Sequence, residues 1–327
     1  MEKYSSMDEY CKAHEHNDYC NRVNQYVTRG FCQIACRGNW KPFQNSPLDE
    51  LRAKYRKPLK EKKSDKETIS VVIPTCNDDE QYLERTIKSL KDNAVGPIEI
   101  IVELDKKNEG MRVLINRGTK KAKGKYVMKI DAHCAMSPEW DARMKASCGP
   151  NTIVKPMIDS LDVDTWKGMG KDMGFISLNP EMRNEHLVGW KPLQDRKIEE
   201  ETLSMLGCCY LMEKQYFDKF GGCNESLGKW GVLGVEWAFN TWLTGGRLIV
   251  RTDSVCYHYF RFVKPFEIDE NEMNEKYRFL GRKWRDGLSE GQTKPLSWLL
   301  NKFSPFLNSQ MRVAPRDQRT ITNYCKK

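Results

Sequence analysis

The fold is decided by the stretch Gly124-Lys125-Tyr126-Val127-Met128-Lys129-Ile130-Asp131-Ala132-His133-Cys134. Its mostly apolar residues after a glycine predict a short buried strand, which ends on a carboxylate and an imidazole. Residues two apart on a strand face the same way, so Asp131 and His133 could bind one divalent cation such as manganese. The residues alone leave a second interpretation open, in which Asp131 caps a turn and His133 is an ordinary polar residue.

Two earlier segments extend this strand pattern towards the N-terminus. Residues 69–74 and 98–102 are rich in β-branched residues, which favour strands. Apolar residues recur at helical spacing between them, and a second helix is indicated within residues 108–122. The order strand, helix, strand, helix, strand predicts an α/β fold with a doubly wound, mostly parallel central sheet.

Polar residues follow all three predicted strands at their carboxyl ends. Sheets of this kind bind ligands at that edge. The residues are Thr75, Asn77, Glu103, Asp105, Asp131 and His133. Packing does not explain so many polar residues at one edge, so the sequence predicts a ligand site there.

The second half of the chain predicts further elements. Residues 236–243 indicate a helix. Two short strands are predicted at residues 248–251 and 255–260, and the second of them carries His258. An amphipathic helix is predicted at residues 271–284.

The pattern divides the chain into three parts. Residues 1–66 form a Cys- and His-containing extension with a basic linker, residues 67–262 form the α/β domain, and residues 263–327 form a basic, helical C-terminal segment. One hypothesis for the extension is a structural zinc ion, because thiolates form closed tetrahedral sites with this metal. Its ligands would be Cys11, Cys20, Cys32 and Cys36. The alternative is that these cysteines are free.

Composition and charge limit the class of partner. The chain of 327 residues has a formal net charge of +9, which suits anionic partners such as nucleotide sugars or nucleic acid. It has no uninterrupted apolar run of the roughly eighteen residues that a membrane span needs, and no apolar signal core in its first residues. We therefore expect a cytoplasmic protein with reduced thiols and no membrane partner. The oligomeric state is not predicted.

Several motifs, taken in order, resemble those of sugar transferases with the GT-A fold. The first are the strand that opens at residue 70 and the segments Asn108-Glu109-Gly110, Asn116-Arg117-Gly118 and Ala122-Lys123-Gly124. The metal motif, Asp131 to Cys134, is similar to that of the polypeptide N-acetylgalactosaminyltransferases. The later residues that match this family are Trp230-Gly231, Glu236, Trp242, Gly245-Gly246, His258, Phe260 and Arg261.

The resemblance implies a Rossmann-like GT-A domain that binds a nucleotide sugar. Asp131, His133 and His258 would then bind Mn²⁺ or Mg²⁺, which stabilises a departing diphosphate. Arg261 would add to this stabilisation. The residues implied to line the donor site are Thr75, Asn77, Glu103, Asp105, Gly110, Arg117 and Trp230. For Glu103 and Arg117 a simpler role stays open, in which one caps a strand and the other pairs with an acid.

One pair of residues departs from the family. The relatives carry a Glu-Asn pair there, and inverting transferases carry a Glu-Asp pair that supplies the general base. This chain has Leu233-Gly234 instead. Glu236 is the nearest carboxylate for the role of base, or it orients the acceptor or the Trp230 loop. The missing base favours a retaining reaction.

The predicted activity is metal-dependent transfer of a hexose or an N-acetylhexosamine from a UDP-sugar to an acceptor hydroxyl. The basic flanks suggest DNA as acceptor, for instance a hydroxymethylated base drawn out of the stack, in a protein of phage or viral origin within its host cell. Protein, glycan and small molecules are the alternative acceptors. A different hypothesis is a non-catalytic, zinc-stabilised protein that binds nucleic acid or sugar, although an intact metal triad argues against it.

Overall fold

The structure of the protein is a computed structural model that describes residues 67–76, 80–172, 175–177, 187–189, 197–261 and 270–303. Three predictions therefore lie outside the described residues. They are the extension with its basic linker at residues 1–66, the zinc site at Cys11, Cys20, Cys32 and Cys36, and the donor contact of Asn77.

The elements alternate as the sequence predicts. The strands are β1 (Ile69–Thr75), β2 (Ile98–Leu104), β3 (Tyr126–Ile130), β4 (Cys134–Met136), β5 (Thr152–Asp162), β6 (Lys167–Asp172), β7 (Phe175–Ser177), β8 (Leu187–Gly189), β9 (Glu199–Glu201), β10 (Cys209–Glu213) and β11 (Arg247–His258). The helices are α1 (Glu80–Asn93), α2 (Met111–Lys121), α3 (Trp140–Lys145), α4 (Lys214–Lys219), α5 (Leu233–Leu243), α6 (Glu270–Arg285) and α7 (Leu296–Lys302). No helix in the described ranges combines the length and the apolar composition needed to cross a membrane.

A mostly parallel sheet forms the centre of the molecule. Its strand order is β2-β1-β3-β10-β5-β11-β4, with β6 beside β5 and β9 beside β11. Strand β1 is parallel to β2 and β3, and β5 is parallel to β11. Strand β10 is antiparallel to both β3 and β5. The strand direction therefore reverses at β10 and again at β5, so β5 and β11 run in the same direction as β1, β2 and β3. The predicted doubly wound sheet is confirmed.

Alternate residues of β1 pack into hydrophobic cores on opposite faces of the sheet, as a strand buried on both sides requires. Val72 lies in one core with Ile115 of α2. Val71 and Ile73 lie in the other core with Leu90 of α1. The covered faces leave the carboxyl ends of β1, β2 and β3 as the place where polar side chains can meet.

The two strands predicted at residues 248–251 and 255–260 are in fact one, β11. Its register with β5 shifts between Arg251 and Val255, which marks an irregularity of the β-bulge type. A backbone group of the strand forms a hydrogen bond outside the ladder there, because the N–H of Val255 donates to the Ser137 hydroxyl at 2.9 Å. The single long strand carries His258 to the end of the sheet.

The C-terminal helices share a core with the sheet domain. Trp284 of α6 stacks on Phe239 of α5, with ring centroids 4.7 Å apart. Its indole N–H donates to the Asn240 side chain at 2.8 Å. Helix α6 contains the predicted amphipathic segment at residues 271–284. The apolar residues that recur at helical spacing in it form the face that packs into this core.

Candidate metal and donor site

The three predicted metal ligands come together at the ends of β3 and β11. Asp131 follows β3, His133 lies two residues further on, and His258 ends β11. One ligand atom of each residue lies within 4.8 Å of the others. Two backbone contacts explain the approach. His258 pairs with Cys134 of β4, and the N–H of Tyr259 donates to the His133 carbonyl at 3.1 Å.

A buried lysine influences the charge of Asp131. The side chain of Lys129 is 2% exposed, and its ammonium group forms an ion pair with Asp131 Oδ1. It also donates to the Gly207 carbonyl at 2.6 Å. Burial raises the pKa of Asp131, but the charge of Lys129 and the hydrogen bond with His258 outweigh burial and hold that pKa well below its usual range. The carboxylate is therefore ionised at neutral pH, as a metal ligand must be.

Both imidazoles suit a metal ion. Burial is the largest cause that lowers the pKa of His133 and of His258, which favours the neutral, metal-binding form. His258 Nε2 lies 3.2 Å from Asp131 Oδ2. His258 Nδ1 is buried without a hydrogen-bond partner among the described residues. A carboxylate and two imidazoles are a donor set for Mn²⁺ and related ions, so the residues present fit the metal.

Residues that the motif analysis did not select hold the metal-binding turn in place. The Thr86 hydroxyl of α1 donates to the Ala132 carbonyl at 2.8 Å and accepts from the Cys134 N–H at 3.0 Å. On the other side, the Asp131 N–H donates to the Cys208 carbonyl at 2.9 Å. A signal for Lys129 was present in the sequence, because a lysine within a buried strand, two residues before an acid, faces the same way as that acid.

Arg261 lies beside the triad, as the resemblance implies. Its Nη2 is 3.3 Å from His133 Nδ1 and donates to it when that nitrogen is unprotonated. Burial lowers the pKa of Arg261, but a guanidinium group stays charged under these conditions. The site therefore contains a positive charge next to the predicted metal position. Its part in catalysis stays a prediction.

Four of the predicted donor residues belong to one cluster of loops. The Asp105 N–H donates to the Thr75 carbonyl at 2.9 Å, which joins the ends of β1 and β2. The Asp105 carboxylate accepts from the N–H groups of Glu109 and Gly110 at 2.8 and 2.7 Å, immediately before α2. The N–H of Met111, which follows Gly110, donates to the carbonyl of Lys229, and Lys229 precedes Trp230.

Gly110 is required by this contact. Its φ of 93° lies in a region that favours glycine. A Cβ atom there would lie 2.5 Å from the backbone of Lys229. The glycine therefore allows the loop that carries Trp230 to lie against the start of α2.

Glu103 and Arg117 form an ion pair with each other. Arg117 Nε lies 2.7 Å from Glu103 Oε2, and Lys121 lies 2.5 Å from the other oxygen. Burial raises the pKa of Glu103, but these two cations outweigh it and lower the pKa. The simpler interpretation, pairing between an arginine and an acid of the sheet, describes the observed contacts. A donor contact for either residue stays a prediction.

The structure holds Glu236 in a buried ion pair. Its carboxylate lies 2.5 Å from the Arg112 guanidinium, and the two side chains are 7% and 1% exposed. Arg112 also donates to the Gly231 carbonyl at 2.9 Å. Burial raises the pKa of Glu236, and the charge of Arg112 counteracts part of this rise. These contacts support the interpretation that Glu236 orients the Trp230-Gly231 loop, and its role as a base stays a prediction.

Glu236→Gln is expected to lower the free energy of unfolding by about 3 kcal/mol, because it leaves the buried Arg112 without a counter-charge. Urea denaturation followed by tryptophan fluorescence measures this change. Asp92→Asn is the control, since it breaks an exposed ion pair with Lys88, and there we expect a loss below about 1 kcal/mol. Unchanged stability with lost activity would contradict the orienting role and indicate a catalytic carboxylate.

Local packing explains the absence of a carboxylate at residues 233–234. Leu233 is buried in a hydrophobic core. A Cβ atom at Gly234 would lie 2.2 Å from the carbonyl oxygen of Met205. The start of α5 therefore approaches the backbone of residues 205–207 too closely for a side chain at Gly234.

The strand order and the Asp-x-His turn at the end of β3 define the GT-A fold. The structure is similar to a crystal structure of GalNAc-T7 with UDP, GalNAc and Mn²⁺, with a TM-score of 0.59 and 18% identity, over 75% of this chain and 58% of that chain. This likeness confirms the predicted fold class. No protein-family model matches the chain.

Curated relatives confirm the resemblance to the polypeptide N-acetylgalactosaminyltransferases. The chain is 25% identical to human polypeptide N-acetylgalactosaminyltransferase 13 over 231 residues, which cover 66% of this chain and 40% of that protein. It is 24% identical to polypeptide N-acetylgalactosaminyltransferase 5 of Caenorhabditis elegans over 275 residues, which cover 80% of this chain and 41% of that protein. The chain thus spans about two fifths of the length of these relatives.

Proposed function

We propose that the chain is a metal-dependent glycosyltransferase that moves a sugar from a UDP-sugar to an acceptor hydroxyl. The observation that carries this proposal is the convergence of Asp131, His133 and His258 at the ligand-binding edge of a GT-A sheet. The relatives are named as N-acetylgalactosaminyltransferases, and the similar crystal structure contains UDP and Mn²⁺. Both findings support a UDP-sugar donor and a divalent metal.

Each group of residues has a role in this proposal. Asp131, His133 and His258 would hold Mn²⁺ or Mg²⁺, which supplies charge neutralisation for the departing UDP diphosphate. Lys129 fixes the orientation and the charge of Asp131 through its ion pair. Arg261 provides a further positive charge beside His133. Because these charges are fixed before substrate binds, little reorganisation is needed during the reaction.

The residues at positions 233–236 support a retaining reaction. An inverting transfer requires a carboxylate that removes the acceptor proton. Leu233 and Gly234 provide none, and the carboxylate of Glu236 is bound by Arg112. Proton NMR of the anomeric signal in the first product measures the stereochemistry of the transfer.

The acceptor is the second component of the proposed reaction. A hydroxymethylated base in DNA, a protein, a glycan and a small molecule are the candidate acceptors, and the relatives are named as polypeptide transferases. The aromatic rings that lie near His133 favour a glycan among these candidates. Mass spectrometry of DNA, protein and glycans from cells that express the chain, with and without Asp131→Asn, identifies the product.

The donor is tested with the purified chain and a panel of UDP-sugars. Hydrolysis of at least one of them is expected with Mn²⁺ present, and EDTA is expected to reduce the rate by at least about a hundredfold, because the diphosphate then leaves without charge neutralisation. Released UDP is measured by chromatography. A folded, metal-loaded chain that hydrolyses no UDP-sugar would contradict the proposal and support a non-catalytic binding protein.

A further inference from the structure

A row of aromatic rings leads away from the metal ligand His133. The Tyr259 ring lies perpendicular to His133, with centroids 6.3 Å apart. Tyr82 contacts Tyr259 edge to face at 5.8 Å, and Trp166 stacks beside Tyr82 at 6.2 Å with an interplanar angle of 22°. We call Tyr259, Tyr82 and Trp166 the aromatic row. Each of its side chains is partly exposed, so a ligand can reach it.

Three separate parts of the fold build the aromatic row. Tyr82 lies on α1, one turn before Thr86, whose hydroxyl holds the metal-binding turn. Tyr259 follows directly on His258. Trp166 lies in the turn between β5 and β6. The row is therefore fixed to the metal-binding turn through α1 and through the end of β11.

Two features of Trp166 are energetically unfavourable. Its φ of 57° is left-handed, which is a rare and strained conformation for a bulky residue. Its indole N–H is buried without a hydrogen-bond partner in the described part of the chain. Strain of this kind concentrates at functional sites. The turn itself is held by Asp162, whose carboxylate accepts from the Asp164 N–H and the Thr165 hydroxyl at 3.0 and 2.8 Å.

The charges around the aromatic row favour an uncharged ligand. The Arg85 guanidinium lies 4.2 Å above the Trp166 ring and donates to the Val163 carbonyl at 2.8 Å, so it is already engaged. Asp164 is exposed in the same turn as Trp166, so its carboxylate faces solvent beside the aromatic row. A phosphate backbone would be repelled by this carboxylate, whereas sugar hydroxyls can donate hydrogen bonds to it.

We propose that the aromatic row is the acceptor subsite and that it stacks against the apolar face of a sugar ring, so the acceptor is a glycan. Aromatic rings bind flat, uncharged rings through their faces. The row starts at His133, so a sugar stacked on it lies beside the predicted metal and its donor. This inference rests on the proposed glycosyltransferase function, which it extends by naming the class of acceptor.

Saturation-transfer NMR tests the subsite on the full chain with UDP and Mn²⁺. The probes are methyl glycosides of galactose, glucose and N-acetylgalactosamine, a trisaccharide of glucose, the nucleoside of 5-hydroxymethylcytosine, and a short peptide that contains Ser and Thr. We expect saturation transfer from the protein to the ring protons of at least one sugar probe. Trp166→Ala is expected to weaken that binding about tenfold, the size of one lost stacking contact.

Three further variants make the result specific. Trp166→Phe keeps an aromatic face and is expected to retain most of the binding. Tyr82→Ala tests the row independently if Trp166→Ala does not fold. Phe279→Ala removes an exposed aromatic residue of α6 and is the matched control, for which no change is expected. Circular dichroism checks the fold of each variant.

Saturation transfer to the nucleoside or the peptide but to no sugar would overturn the proposal, and so would saturation transfer to none of the probes. Sugar binding that is unchanged in folded Trp166→Ala and Tyr82→Ala would overturn it as well. UDP-sugar hydrolysis by the unaltered chain is measured in the same samples. Absent hydrolysis counts against the glycosyltransferase function itself, while unchanged sugar binding in the variants counts only against the aromatic row.

Discussion

His258→Ala is expected to reduce UDP-sugar hydrolysis at least about a hundredfold, because it removes one of three ligands from the predicted metal site. The loss should be accompanied by weaker binding of Mn²⁺. Electron paramagnetic resonance of free Mn²⁺ measures binding, and released UDP measures hydrolysis. Since the buried imidazole is neutral in the fold, its removal leaves no uncompensated charge, and the effect on stability should be smaller than the effect on activity.

The control for this prediction is Asp218→Asn, which removes an exposed carboxylate from α4. It is expected to leave Mn²⁺ binding and hydrolysis unchanged. Hydrolysis by His258→Ala at close to the original rate would contradict the metal assignment. Lost hydrolysis with unaltered Mn²⁺ binding would place the metal elsewhere.

Asp131→Asn is expected to lose hydrolysis to a similar extent and, unlike His258→Ala, to destabilise the fold. The side chain of Lys129 is 2% exposed, and its ammonium group would be left without its counter-ion. Breaking a buried pair in this way costs about 3 kcal/mol. Urea denaturation measures the free energy of unfolding, and the hydrolysis assay is run well below the denaturation midpoint.

A double variant separates the two effects. Lys129→Met in the Asp131→Asn background removes the unpaired charge and is expected to recover most of the lost stability. It should recover no hydrolysis, because the metal ligand is still missing. Recovery of hydrolysis would show that Asp131 acts only by neutralising Lys129. If the double variant is as unstable as Asp131→Asn, the unpaired charge of Lys129 is not the cause of the lost stability.

Much of the fold follows from local sequence patterns. Strands β1, β2 and β3 were predicted from runs of β-branched and apolar residues, and α1 from the spacing of Leu83, Ile87 and Leu90, whose face packs on the sheet. Those signals are local, because burial on both faces of a strand or on one face of a helix sets the residue types within a few positions. The division of β11 into two strands was wrong for the same reason. The polar residues in its middle indicated a break, whereas contacts with distant parts of the chain continue the strand.

Part of the site was also present in the sequence. Strand geometry made Asp131 and His133 candidate metal ligands but left a structural role for them open, and His258 came only from the family motif. The pairing of Glu236 with Arg112 was not foreseen, because the two residues are separated by 124 positions. For Glu103 and Arg117 the sequence left a simpler structural role and a donor contact both open, and it did not indicate that the two residues pair with each other.

The sequence by itself determined the order of the elements and the residue types at the carboxyl ends of the strands, because hydrophobic periodicity and strand alternation are read over a few neighbouring positions. Only the tertiary structure decided which of these residues meet. It brought His258 to Asp131 and placed Lys129 against the Gly207 carbonyl. It also left no space for a side chain at Gly234, and it aligned Tyr82, Trp166 and Tyr259. These contacts join residues that are distant in the chain, and they exist only once the sheet and its helices have packed.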